Sequence, residues 1–359
     1  MTATLFPLWS IAAPLASGGL LVLAHFMPSG WITPLLGIAL LGSVLAAVHH
    51  AEVVAHWLGE PLGTLTLTVA ITVIEVSLIV SMMLAGGPAT SALARDTVFA
   101  AIMLILNGMV GLCLLVGGLR HGEQTFSLLG VSASLATLAA IAVLTLVLPD
   151  YTTSAAGPVY TSSQLAFIAV VSLVLYATFT LVQTVRHRDY FLPENAQNNS
   201  TAHATPPRTG EGWAAAGLLL LNLIAVVVTA ETLAPQVEAL VDAAGAPKSV
   251  VGILIALLVL LPEGLAAVQA VRADRLQTSL NLAIGSALAS IGLTIPAVAL
   301  LALFTGWPLV LGIDAKSSVL LMLTLMVATL SLGTGRTTVL QGTVHLVICA
   351  VYIFTTIVP

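Results

Sequence analysis

Uninterrupted apolar runs of about 20 residues recur along this chain, and no other feature constrains its fold as strongly. Eleven such runs fall near residues 5–26, 31–49, 62–84, 96–119, 126–148, 164–185, 213–233, 248–270, 279–304, 313–333 and 338–357. Within a bilayer the backbone must satisfy its own polar groups, so each run predicts a helix. A barrel would need alternating apolar and polar residues, and these runs are continuous. Composition agrees: 7% of the 359 residues are Asp, Glu, Lys or Arg, against about 25% in a soluble domain. Ten basic and fifteen acidic side chains cannot coat a soluble protein of this size. That excludes a cytosolic globular enzyme, and a pI near 5.8 excludes a nucleic-acid binder built on basic stripes. The chain reads as an all-α polytopic membrane protein with about eleven transmembrane helices and the lipid bilayer as its first partner. Cys113 and Cys349 lie inside apolar runs and say nothing of redox compartment.

The first run has no Lys or Arg before it, so it lacks the charged leader of a cleaved signal peptide. It is expected to persist as an extra N-terminal helix within residues 1–28. The single long polar stretch, residues 186–212, is rich in Asn, Pro, Thr and His and predicts a polar cytoplasmic loop. It divides five runs in residues 29–185 from five in residues 213–359. An odd number of crossings makes the two halves enter the membrane from opposite sides. The expected plan is therefore two inverted five-helix repeats, as in secondary transporters. Residues 49–61 (HHAEVVAHWLGEP) are amphipathic and are expected to lie at the interface. Arg120, Arg186, Arg188, Arg208, Arg272, Arg275 and Arg336 fall on the side of the N-terminus, and only Arg95, Lys248 and Lys316 on the other. That bias puts the N-terminus in the cytoplasm and the C-terminus outside.

Each half carries one acid deep in its second run: Glu75 in LTVAITVIEVSLIVSMML and Glu263 in GILIALLVLLPEGLAAVQAV. A carboxylate at membrane depth costs at least about 3 kcal/mol and normally faces an ion pathway. Burial raises a carboxyl pKa, so each acid can hold a proton until a cation with oxygen ligands displaces it. The bland alternative is a permanently protonated Glu bonding two helices together. Thr64, Thr68 and Thr72 form a stripe leading to Glu75. Thr64 and Thr68 are expected to bond back to their own helix, whereas Thr72, one turn from the acid, is a candidate for the ion pathway. Pro262 has no N–H, so the Leu258 carbonyl loses its helical partner and becomes an oxygen suited to hard cations, unless it marks a simple kink.

The next run in each half is also polar. Asn107 requires partners at that depth and is read as a ligand or as a group orienting one, while Gly108 and Gly111 beside it read as packing. Ser286 and Ser290 lie on one face, where Gly285, Ala289 and Gly292 allow close helix approach. On the amphipathic segment His49, His50 and His56 gather with Glu52 and Glu60. Glu52, His56 and Glu60 read as a cytoplasmic-face cation or pH sensor, a metal site, or a solvated polar face. Arg272, Asp274 and Arg275 read as a short loop that signals topology.

At these residues the chain resembles the calcium/cation antiporter superfamily, and within it the cation/proton exchangers of the ChaA type. The segments that carry the resemblance are AEVVAHWLGEPLGTLTLTVAITVIEVSLIVSMMLAGG, RDTVFAAIMLILNGMVGLCLLVGGLRHGEQTF and LLPEGLAAVQAVRADRLQTSLNLAIGSALASIGLTIPAVA. The likeness covers nearly the whole chain. It implies eleven helices in two inverted repeats, exchanging cytoplasmic Ca²⁺, Na⁺ or K⁺ for external protons, with no resident cofactor. It implies further that Glu75 and Glu263 bind the cation, and it aligns Asn107 with Ser290, one turn beyond Ser286. One departure matters: many calcium/proton exchangers carry Gly-Asn two and three residues before each acid. Here the stretches are Ile71-Thr72-Val73-Ile74-Glu75 and Val259-Leu260-Leu261-Pro262-Glu263. The missing amides weaken the case for a site exclusive to Ca²⁺ and leave the choice of ion open.

The alternative is a cation channel using the same acids as its filter. Channels build pores by oligomeric symmetry, while inverted halves favour a carrier. An intramembrane enzyme is not expected: His345, the one His well inside a run, has no acid near it, and GVSAS (130–134) has no evident His or acid partner. A scaffold would have to maintain two costly buried acids for no use. The bacterial inner membrane is the expected home, and a homo-oligomer is compatible with everything above.

Overall fold

The computed structural model describes residues 5–26, 31–59, 62–191 and 207–358. Every expected run is a helix: α1 Leu8–Phe26, α2 Ile32–Leu58, α3 Leu62–Gly86, α4 Leu93–His121, α5 Leu128–Tyr151, α6 Ser162–Arg186, α7 Thr209–Ala243, α8 Ser249–Arg272, α9 Leu276–Thr305, α10 Ala315–Leu332 and α11 Val339–Ile357. Ten of these are long and apolar enough to cross a membrane, and α3 adds the apolar stretch Val69–Leu84. Caps fix several starts. Thr161 and Gln164 form a reciprocal capping box before α6, Thr338 and Gln341 another before α11, and Asp314 accepts the Ser317 N–H at 2.9 Å before α10.

Two boundaries differ from the sequence expectation. Residues 49–58 are not a separate interfacial segment but the last turns of α2. The reason is that α1 packs along them. His50 is fully buried with its Nε2 3.4 Å from the Ser10 carbonyl, and His49 reaches the Leu5 carbonyl at 3.2 Å. Similarly α7 runs to Ala243, past the expected end at 233, and carries Pro235 inside it. Of the expected polar loop, residues 192–206 lie outside the described residues. Its start forms a single 3₁₀ turn, Arg188–Phe191, and α7 begins at Thr209.

The helices fall into two compact units, one holding α1, α2, α3 and α7 and the other α4–α6 and α8–α11. In the first, α2 is the centre, packed by α1, α3 and α7. Val53, Val54 and Ala215 make a small core there with Phe6 and Trp57 against it. In the second, α4 and α9 are the centre: 83% and 67% of their apolar stretches are buried, against 28% for α6. Small residues permit this. A Cβ added at Gly292 of α9 would sit 2.8 Å from Tyr176 of α6, and one at Gly111 of α4 would sit 2.9 Å from the Cβ of His345 on α11.

The loops of this second unit pair as alternate crossings require. β1 (Gln124–Thr125), after α4, lies antiparallel to β2 (Arg336–Thr337), before α11. At the other end Val159, before α6, bridges Val310, before α10. Nearby, the Tyr160 hydroxyl donates to the Leu144 carbonyl at 2.6 Å. Burial and the adjacent Asp150 push its phenol up to about 12, so it remains a donor.

Candidate functional site

Glu263 sits two-thirds of the way along α8, 7% exposed, directly after Pro262. The proline removes one backbone donor, so the carbonyl of half-buried Leu258 is left without its usual i+4 partner. From α9, the Ser286 hydroxyl donates to Glu263 Oε2 at 2.5 Å. Ser290, one turn further along the same face, is 3% exposed. The second unit thus joins Ser286 to Glu263, with Ser290 on the same face of α9 and the Leu258 carbonyl on the acid's own helix. Such oxygens suit a hard cation or a proton equally.

In the first unit Thr72 and Glu75 lie one turn apart on the inner face of α3, each 5% exposed, among Ile74, Leu78 and Ile79. The side chains of Thr64 and Thr68, and Glu60 altogether, lie outside the described residues. Glu52 and His56 are both exposed, one turn apart near the end of α2. Among the described residues no group of three or more His, Cys, Asp or Glu side chains could hold a metal ion.

Asn107 is placed differently from what its sequence neighbours suggest. It lies in a π-helical turn of α4, Leu104–Met109, and is fully buried. Its Nδ2 donates to Thr324 Oγ1 of α10 at 2.9 Å, and its Oδ1 is 3.2 Å from His345 Nδ1 of α11. Both ends of the amide are engaged by side chains of other helices, the arrangement that an orienting group requires. Thr324 and His345 were not legible as its partners, because they are separated from it by 217 and 238 residues. Gly111 packs on His345, in keeping with its reading as a packing residue. In GVSAS, the Ser134 hydroxyl is used on the Gly130 carbonyl at 2.8 Å.

Short polar links frame both ends of the second unit. Gln124 Nε2 donates to Asp274 Oδ1 at 2.7 Å, and Asp274 turns the α8–α9 corner with a φ of 56°. At the opposite end Arg95 binds Asp96 at 2.8 Å and the Gly312 carbonyl at 2.9 Å.

Comparison with known proteins agrees in sequence and in fold. The profile of the family described as "Sodium/calcium exchanger protein" matches residues 28–185 and 214–358. A Sinorhizobium fredii protein, y4hA, is 48% identical over 98% of this chain and 97% of its own length. The sodium-potassium/proton antiporter ChaA of Escherichia coli is 37% identical over 89% of this chain and 86% of that protein. Among solved structures, native YfkE superposes with a TM-score of 0.74 at 16% identity, covering 98% of this chain and 100% of that one. The H⁺/Ca²⁺ exchanger CAX superposes with a TM-score of 0.69 at 14% identity, covering 97% and 93%.

Proposed function

The chain belongs to the sodium/calcium exchanger family, and on that premise we propose that it is a secondary active cation/proton antiporter of the bacterial inner membrane. Cytoplasmic Ca²⁺, Na⁺ or K⁺ leaves as protons enter, with the N-terminus inside and the C-terminus outside. Residues 29–185 and 213–359 are the two inverted repeats, and Glu75 and Glu263 bind cation or proton in turn. The observation that carries this reading is the Ser286–Glu263 pair: a carboxylate at membrane depth that accepts a hydroxyl at 2.5 Å, on a helix where Pro262 denies the Leu258 carbonyl its i+4 donor. When the cation arrives, the carboxyl proton leaves, and the hydroxyl and carbonyl oxygens supply part of the coordination that water gave up. A channel, the other use of such acids, has no observation in its favour.

The test is proton flux in proteoliposomes with a preset pH gradient, on adding Ca²⁺, Na⁺ or K⁺, for the intact protein and for Glu75→Gln and Glu263→Gln. Cation-dependent proton release lost in either variant is the expected result and ranks the ions. Flux that survives both substitutions overturns the assignment of the acids, and a cation current uncoupled from protons overturns the antiporter.

A further inference from the structure

The polar cluster around His345 is buried in the same unit as Glu263, yet exchange through the two acids does not use it. His345 is fully buried six residues into α11, which puts it about 9 Å from the start of that helix. Its ring is held on both sides: Nδ1 lies 3.2 Å from Asn107 Oδ1, and Nε2 lies 2.8 Å from Ser331 Oγ.

The protonation of each atom follows from its partners. Thr324 uses its own proton on Met103 Sδ at 3.4 Å, so it accepts from Asn107 Nδ2. That turns Asn107 Oδ1 toward the ring, and an amide oxygen only accepts, so Nδ1 carries the hydrogen. Nε2 is then the atom that gains or loses a proton, and it faces Ser331. Ser331 is the second-last residue of α10, half-buried, beside the turn that leads to β2. Its hydroxyl has a second acceptor, the Ala328 carbonyl at 3.3 Å. With neutral imidazole the hydroxyl donates to Nε2. With imidazolium the Nε2–H donates to Oγ, and the hydroxyl turns to Ala328. Both states are fully hydrogen-bonded, and one hydroxyl rotation separates them. A purely structural buried histidine requires only one such arrangement.

We propose that His345 is a second proton-binding residue, loaded and unloaded through Ser331 from the face that carries β1 and β2. The proposal rests on the antiporter reading. In loading, Ser331 passes its hydroxyl proton to Nε2 as it takes a replacement from a hydronium ion at the end of α10, which leaves as water; unloading reverses both transfers, so one proton moves net. The imidazolium meets few other charges. α4 carries only Cys113 between Arg95 and Asp96 at one end and Arg120 and His121 at the other, and α10 carries only Lys316 at its far end. Cys349 and Tyr352 follow His345 on α11, and α8 contributes Glu263 and Arg272. Glu263 is the one acid at membrane depth on these helices. Through Asn107, whose amide His345 holds, the charge is felt at the π turn of α4.

Histidine-13Cε1 NMR on the full protein in detergent tests this directly, with His345→Gln and Ser331→Ala. The resonance missing in His345→Gln is assigned to His345. It is expected to shift with pH over the range in which the protein stays folded, and to move in Ser331→Ala. In proteoliposomes, His345→Gln is expected to remove one inflection from the pH profile of cation-driven proton flux, with about a tenfold loss on the acidic limb. A His345 resonance fixed in one protonation state over that range overturns the proposal, as does a flux lowered equally at every pH. If His345→Gln fails to fold, the resonance displaced in Ser331→Ala carries the same titration test. If cations move uncoupled from protons in the intact protein, the antiporter reading fails, while the NMR titration still decides the proton site without any transport.

Discussion

The helix pairs α3–α4 and α8–α9 hold corresponding places in the two proposed repeats, yet their polar side chains are used in different ways. On α8 and α9 the chemistry is concentrated. Ser286 reaches straight across to Glu263, and Pro262 frees a carbonyl one turn before it. On α3 the acid follows Thr72 with no proline, and on α4 the polar residue Asn107 turns to α10 and α11. A hydroxyl is short and single-ended, so it serves the nearest carboxylate. An amide has two ends, and once buried it recruits two helices to satisfy them. The difference teaches that a shared position in a repeat does not impose a shared role. In the second half the hydroxyl of the next helix bonds the acid, and in the first half the amide of the next helix bonds α10 and α11.

The sharpest way to break this comparison is to remove one hydroxyl from each cluster. Ser286→Ala deletes a hydrogen bond to an ionised group, about 1.5–3 kcal/mol, so the cation concentration for half-maximal flux should rise roughly 10- to 100-fold. Thr324→Val should leave that concentration within about twofold, because its hydroxyl serves Asn107 and Met103, while the thermal midpoint in detergent falls by the few degrees of about 1 kcal/mol. Equal effects on half-saturation from both variants would end the distinction between a binding cluster and an orienting one. A smaller effect tests the packing of α4 on α11. Gly111→Ala puts a methyl 2.9 Å from the Cβ of His345 and 3.1 Å from the Leu346 nitrogen. Backbone cannot yield there, so we expect a loss of about 1–3 kcal/mol, read as a lower midpoint. Gly285→Ala, whose added methyl meets nothing within 4 Å, should be neutral or stabilising.

The fold was largely legible because helix and membrane set the same rule for each segment: about 20 apolar residues, then a turn. All eleven runs appear as helices, and the loops that alternate crossings place on one side do pair there. What failed was local. His50 looks polar in sequence, but α1 covers it, and a covered helix end does not fray into an interfacial segment. At the site, Glu75 and Glu263 are legible as charges in apolar runs, and Ser286 as a hydroxyl on the small face of the next helix. The partners of Asn107 were not. Thr324 and Ser331 look like ordinary membrane hydroxyls, and only helix packing shows that they bracket an amide and an imidazole.

The smallest expected effect separates the two ends of the second unit. Arg336 meets Glu123 at 3.1 Å beside the β1–β2 pair, with 70% and 52% of those side chains exposed. Arg95 meets Asp96 at 2.8 Å with 21% and 16% exposed, and spends a second donor on the Gly312 carbonyl. Water and salt screen the first pair almost completely, so Arg336→Ala should change the thermal midpoint by no more than the equivalent of about 0.5 kcal/mol. Arg95→Ala leaves a half-desolvated carboxylate and an orphaned carbonyl, so it should cost about 2 kcal/mol or more. Raising salt from low to about 1 M should erase the Arg336 difference, because the Debye length falls to about 3 Å, and leave most of the Arg95 difference in place. If both differences vanish together, the Arg95 end is as open to water as the other, and the burial that distinguishes the two ends does no energetic work.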